Sequence, residues 1–273
     1  MYLAIDVGGT KTLIALINQN FEIINKIKII TSPDYKDFLN DLKNNIAKFN
    51  VDKFNSIAIA APGIIDVETD EIINAGGNLN WQNVNPKYDL NKLFNCPVYF
   101  GNDANLAGLY ESIVFKDIYR KVLYLTISTG IGGSFLINQQ LDNSLLNIEP
   151  GKIMLEHDGQ LVEWEKFASG KSIVENYGKF AKDITDKVIW QEIANNISEG
   201  LLTIIPLIQP ELIVIGGSIG SFFSQYGELI NLTIDQKLDK IIPKPTILQA
   251  KNPEEAVIFG CIELIRQNSG VNK

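Results

Sequence analysis

The segments Asp6-Val7-Gly8-Gly9-Thr10-Lys11 and Thr129-Gly130-Ile131-Gly132-Gly133-Ser134 each set a glycine-rich turn beside a short apolar run. Glycine lacks the Cβ that blocks close approach, so backbone N–H groups in such turns can converge on a phosphate. One such turn is equally well a plain hairpin connection. Two copies, about 120 residues apart, read instead as a repeated unit for binding phosphate. An acidic residue at the end of the first run strengthens that reading. Asp6 can hold Mg²⁺, directly or through water, beside phosphates received at Gly8, Gly9 and Thr10. Lys11 is either a phosphate partner or a solvated lysine, and its position favours the second.

A third segment, Gly101-Asn102-Asp103-Ala104-Asn105, closes an apolar run and opens a helical pattern, which is where an open α/β sheet presents side chains to a ligand. Asp103 has two uses there. As a helix cap its carboxylate is already occupied. As a general base it accepts the proton of a hydroxyl that attacks a γ-phosphorus.

These groups need elements to carry them. Tyr2 to Val7, Thr12 to Ile17 and Glu22 to Ile30 are rich in Ile, Val and Leu and are separated by turn signals, predicting a three-stranded meander. Asp34 to Phe49 places Phe38, Leu42, Ile46 and Phe49 at helical spacing, and Ser56 to Ala61 reads as a buried parallel strand. A short helix is predicted over Leu90 to Phe94, a strand over Pro97 to Phe100, and a helix over Asp103 to Phe115. From Lys121 the grammar repeats: strand Val122 to Ile127, glycine turn Ser128 to Gly133, strand Ser134 to Ile137. Helices are predicted over Gly170 to Phe180, Trp190 to Ile208 and Pro253 to about Gln267, with a buried strand at Leu212 to Ile215 ahead of Gly216-Gly217.

At 273 residues the chain is long for one modest core, so two lobes are expected. It is 45% hydrophobic and 21% charged, the balance of a folded chain with a sizeable interior. A net charge of −8 and a pI near 4.8 disfavour binding to nucleic acid and to anionic membranes. Cys96 and Cys261 stand far apart, in no zinc or disulfide spacing, and read as buried thiols. The first apolar run is a strand rather than a leader and no run is long enough to span a membrane, so a cytoplasmic location is expected.

The motifs, in order, resemble those of the ROK sugar kinases, a family whose bacterial members include glucokinases. Asp6 to Lys11 is similar to the family's first phosphate motif, and Ala61-Pro62-Gly63-Ile64-Ile65-Asp66 to its Pro-Gly-x-x-Asp segment. Asn78-Leu79 with Trp81 resembles its sugar-contacting stretch. Asn102-Asp103-Ala104-Asn105 resembles its catalytic segment. Thr126 to Gly133 resembles the second phosphate motif, and Pro210 to Ser218 the adenosine-side strand.

The resemblance implies an actin-like ATPase (ribonuclease H-like) α/β fold of two lobes, each a mixed β-sheet with helices, and a cleft where both phosphate turns meet one ATP. Its small lobe is expected over residues 1–104 plus 254–273 and its large lobe over 105–253. It implies ATP and Mg²⁺ as cofactors and Asp103 as base. Asn78, Asn102, Glu149, Glu165 and Lys152 are the implied sugar ligands; Thr129, Gly130, Gly132 and Gly133 the implied phosphate contacts; Gly216, Gly217 and Ser218 the implied adenosine contacts. Glucose, phosphorylated at its 6-hydroxyl, is the default substrate. A fructose or N-acetylhexosamine kinase and a sugar-binding regulatory pseudokinase are the alternatives, and a homodimer is implied. Family members that are DNA-binding repressors carry an added N-terminal module, whereas the first strand here begins at Tyr2.

One stretch departs from the family pattern. Where members carry Glu-x-Gly-His and a cysteine cluster for zinc, this chain has Glu149-Pro150-Gly151-Lys152 and then Glu163-Trp164-Glu165. No structural zinc is expected. Lys152 stands where the family has a sugar-touching histidine and differs from it in charge and reach. The sole histidine, His157, reads as a structural residue in a turn rather than a sugar ligand. Trp81, Trp164 and Trp190 can stack on a sugar face, although core packing is the expectation for at least two of them.

Overall fold

Six apolar-rich residues, Tyr2–Val7, form β1, which pairs antiparallel with β2 (Lys11–Ile17); β2 pairs in turn with β3 (Ile23–Ile30). The structure, a computed structural model, describes residues 1–270. It divides into two compact units, Met1–Tyr110 with the chain from Val257 onward, and Glu111–Ala256.

In the first unit, α1 (Tyr35–Ile46) begins where the Asp34 carboxylate accepts from the Lys36 and Asp37 N–H groups, and it buries Phe38, Leu42 and Ile46 as their spacing predicts. The helix returns the chain to β4 (Ser56–Ala61), parallel to β1 and buried along its whole length. A small hairpin of β5 (Ile64–Ile65) and β6 (Ile72–Asn74) follows; strands so short carry no alternation to read in a sequence. The helix α2 is longer than predicted, Pro86–Phe94, because Asn85 caps Tyr88 N–H and Pro86 sits in the first turn, where its missing N–H costs nothing. β7 (Val98–Asn102) pairs parallel with β4, completing the order β3-β2-β1-β4-β7, and runs directly into α3 (Asp103–Val114).

The C-terminal helix Ala256–Asn268 packs on this unit. Cys261 is buried and its Sγ donates to Ile5 O (3.7 Å). Gly260 lets the helix approach α3 closely, since a Cβ there would lie 1.9 Å from Leu106 O. Gly260→Ala must therefore separate two backbones that carry the Asp103 helix. We expect it to destabilise the protein by about 1–3 kcal/mol in chemical denaturation, and a variant as stable as the parent would show that the approach is not tight.

The second unit repeats the plan. β8 (Lys121–Ile127) pairs antiparallel with β9 (Ile131–Ile137) and parallel with β13 (Leu212–Gly216), just as β1 pairs with β2 and β4. With β10 (Gln140–Leu141) and β14 (Thr246–Gln249) the sheet order is β10-β9-β8-β13-β14. The second glycine turn is shorter than predicted. It closes at Ser128 to Gly130, where Ser128 N–H donates to Gly130 O (2.9 Å), and Gly132 and Gly133 lie inside β9 opposite Thr126 and Leu125. Close packing explains Gly133, where a Cβ would meet Tyr124 O at 2.8 Å.

A hairpin of β11 (Met154–His157) and β12 (Gln160–Glu163) turns at Asp158 and Gly159, both with positive φ, so the turn expected around His157 is the tip of two strands that the sequence pattern did not reveal. Helices α4 (Glu165–Ala168), α5 (Gly170–Tyr177), α6 (Lys187–Ile208), α7 (Gly217–Gly220) and α8 (Phe223–Lys237) complete the unit. α8 and β14 were not anticipated from sequence.

Each unit has its own apolar core. All three tryptophans belong to these cores. Trp81 packs on Phe38 and Tyr35, Trp164 donates to Asn196 O (3.0 Å), and Trp190 stacks on Tyr226 and Phe222. No helix among the described residues is long and apolar enough to cross a membrane.

Candidate active site

The first unit brings Asp6 and Asp103 together. Asp6 is the fifth residue of β1, aligned with Ala60 of β4, and Asp103 opens α3 at the end of β7, which pairs with the other side of β4. Adjacent parallel strands thus deliver both carboxylates to the same edge of the sheet. Removal from water pushes Asp6 up to about 7, the neighbouring Asp103 charge adds to the rise, and Lys28 works against it. Burial also raises Asp103, against a lowering by the Ala104 N–H.

The start of α3 is capped by the residue before Asp103. Asn102 Oδ1 accepts from Ala104 N–H (2.9 Å) and Asn105 N–H (3.3 Å), so Asn102 is the residue that bridges to the first turn, while Asp103 Oδ1 accepts only the local Ala104 N–H (2.8 Å) among the bonds described. Asn102 Nδ2 donates to Gly63 O (3.0 Å), which ties the start of α3 to the Pro62-Gly63 turn. Gly63 needs its residue type: φ is +101° and a Cβ would lie 2.3 Å from Asn74 O.

The first glycine turn is braced by Thr31, the residue after β3. Thr31 Oγ1 donates to Gly8 O (2.8 Å), its N–H donates to Thr10 O (3.0 Å), and its hydroxyl shares a hydrogen bond with buried Thr12 (2.9 Å). Nothing in the local sequence marks Thr31 for this task, because it acts across 23 residues. Gly9, Thr10 and Lys11 are exposed at the tip, and a Cβ on Gly9 would meet nothing within 4 Å. Asn78 is exposed on a separate loop, anchored on either side by buried Ala75 and Leu79.

In the second unit, Thr129 and Ser218 line one cavity of about 600 Å³ together with Lys171, Phe180, Phe222 and Glu254. Its size and largely apolar walls suit a nucleoside. Gly170 N–H donates to Ser128 O (2.6 Å), joining the start of α5 to the glycine turn. Gly216 and Gly217 precede the lining residue Ser218 without lining the cavity themselves; a Cβ on Gly216 would lie 2.5 Å from the Tyr124 hydroxyl, and Gly217, with φ +77°, donates its N–H to Pro253 O (3.2 Å). Lys171, Phe180, Phe222 and Glu254 come from separate segments with no common spacing, which is why sequence reasoning missed them.

Glu149 precedes the 3-10 turn Pro150–Lys152, which Lys152 closes, and Glu149 is exposed. The Lys152 ammonium is engaged by two carboxylates, Glu165 Oε1 at 2.6 Å and Glu163 Oε2 at 3.1 Å, which raise its pKa above the ordinary lysine value. His157 stacks on Phe167 with ring centroids 4.0 Å apart, as a structural histidine does. Among the described residues no group of three or more His, Cys, Asp or Glu is placed to hold a metal ion.

The ROK family model matches residues 2–268. The chain belongs to the ROK family. Among ROK relatives, the fructokinase of Lactococcus lactis subsp. cremoris is 26% identical over 271 residues, covering 90% of this chain and 91% of that protein. An N-acetylmannosamine kinase of Vibrio vulnificus is 29% identical over 248 residues, covering 80% and 83%. A ROK family glucokinase from Streptomyces griseus, solved in complex with glucose and AMPPNP, superposes with a TM-score of 0.83 at 21% identity over 98% of this chain and 99% of that one. The ROK chain described here therefore has the α/β actin-like ATPase fold that its motifs predict.

Proposed function

We propose that this chain is an ATP-dependent sugar kinase that phosphorylates a hexose or hexose derivative with Asp103 as general base. The observation that carries this reading is the pair of carboxylates on one sheet edge, with Asn102 serving the helix start so that Asp103 is left for a substrate proton. Family membership and similarity to named sugar kinases support the same reading.

The family resemblance implies Asn78, Asn102, Glu149 and Glu165 as sugar ligands. Asp103 takes the proton as the hydroxyl oxygen bonds to the γ-phosphorus, and the bond from that phosphorus to the β-phosphate oxygen breaks to release ADP. The same resemblance implies phosphate contacts at Gly8, Gly9 and Thr10 and at Thr129 and Gly130. Gly216, Gly217 and Ser218 flank the nucleoside in its cavity. Two carboxylates that resist joint ionisation form a donor set suited to a divalent cation, and Mg²⁺ bound at Asp6 would neutralise charge on the phosphates.

Glucose at its 6-hydroxyl, fructose and N-acetylmannosamine are the substrates to compare, in a cytoplasmic and dimeric enzyme. A coupled assay for ADP release, run with Mg-ATP over glucose, fructose, mannose, N-acetylglucosamine and N-acetylmannosamine, tests the proposal. Turnover of about 1–100 s⁻¹ is expected with at least one sugar. Sugar binding without ADP release across the panel would assign a regulatory sugar-binding role instead.

A further inference from the structure

We infer that Lys152 is a positioning residue for nucleotide binding: its ammonium holds the Glu165 carboxylate against the second phosphate turn and neutralises acidic charge beside it. The inference rests on the kinase reading and assigns Lys152 a task other than contact with the sugar.

Glu165 spans two segments. Its Oε1 accepts from Lys152 Nζ (2.6 Å) and its Oε2 accepts from the Ile131 N–H (3.3 Å), the amide that follows Gly130 in the turn. The slot it occupies exists because two residues lack side chains. A Cβ on Gly130 would lie 2.7 Å from Glu165 Oε2, and one on Gly151 would lie 2.9 Å from it. The backbone on either side is fixed, since Trp164 N–H donates to Ile153 O (2.8 Å) and the Trp164 indole is anchored at Asn196. What remains adjustable is the carboxylate, and Lys152 sets its direction.

The charge balance gives Lys152 its effect on nucleotide. Glu163 and Glu165 both end at the ammonium, and Glu165 reaches an amide of the turn proposed to receive phosphate. Without the lysine these carboxylates would stand uncompensated beside an incoming polyanion. The Lys152 side chain is 51% exposed, so water and salt screen the interaction and its loss weakens binding without abolishing it.

Calorimetric titration of the full chain with Mg-AMPPNP, in the absence of sugar, tests this. Lys152→Met is expected to weaken binding about tenfold at low salt and less at high salt. Lys152→Arg, which keeps the charge, should stay within about threefold of the parent. The double variant Lys152→Met/Glu163→Gln should regain about threefold of the loss, because one uncompensated carboxylate is gone. Parent-like affinity in Lys152→Met, or equal losses in the Met and Arg variants, would overturn the inference and leave the kinase reading standing. Absence of AMPPNP binding by the parent would overturn both.

Discussion

Asp103→Asn should lower kcat by about a thousandfold while leaving the dissociation constant of the sugar within a few-fold of the parent value. The amide keeps the shape of the carboxylate and can still hydrogen-bond to a hydroxyl, but it cannot accept the proton as the oxygen attacks. The helix should remain intact, since Asn102 supplies the bridging cap bonds to Ala104 and Asn105. Single-turnover kinetics with the sugar that gives the highest rate in the panel, together with a direct binding measurement, separate the two quantities. Turnover within tenfold of the parent would remove Asp103 from the chemistry. The same argument fixes the pH dependence. Asp103 is raised by burial and Asp6 lies near 7, and the mechanism uses both as anions. The rate should therefore fall as pH drops through about 7, and the acid limb should move to lower pH when saturating Mg²⁺ favours ionised Asp6.

The second large effect is a divergence of activity and stability at Asp6. Asp6→Asn should reduce kcat by at least about a hundredfold, since the amide is a poor ligand for Mg²⁺ beside the phosphates. The same change should stabilise the ligand-free protein at pH 8. Asp6 has a folded-state value near 7 against 3.8 for the free side chain, so the folded state holds the extra proton within that window. Stability from this group accordingly falls as pH rises from about 4 to about 7, and at pH 8 the folded chain carries an ionised Asp6 that is stripped of water and opposed by Asp103. The amide relieves that opposition. Thermal melts should show the variant a few degrees above the parent at pH 8, with the gain vanishing near pH 4. A variant less stable than the parent at pH 8 would mean that Asp6 is well compensated in the folded state by Lys28 or by another group.

The features of the candidate site legible in the sequence are those that one short segment carries by itself. Glycine turns after apolar strands, an Asn-Asp pair at a strand-to-helix junction, and the continuous apolar run of β4 follow from local sterics and from burial on both faces of a sheet. Their order along the chain was enough to place it in the ROK family and to predict two repeats of one strand plan. The boundaries were less secure, as Gly132 and Gly133 show, because a glycine that permits a turn and a glycine that permits close packing against Tyr124 look alike in a sequence.

Tertiary structure alone decided how side chains far apart in the chain share one another's charge and hydrogen bonds. It assigned the cap to Asn102 rather than Asp103, set Asp6 against Asp103, braced Gly8 with Thr31, and engaged Lys152 with Glu163 and Glu165. It also built the cavity of about 600 Å³ in the second unit from segments as distant as Ser128 and Glu254. Backbone conformation depends on residues close in sequence and can be read from them. Protonation state and hydrogen-bond partnership depend on distance and desolvation in space, which exist only once the sheets and helices have packed.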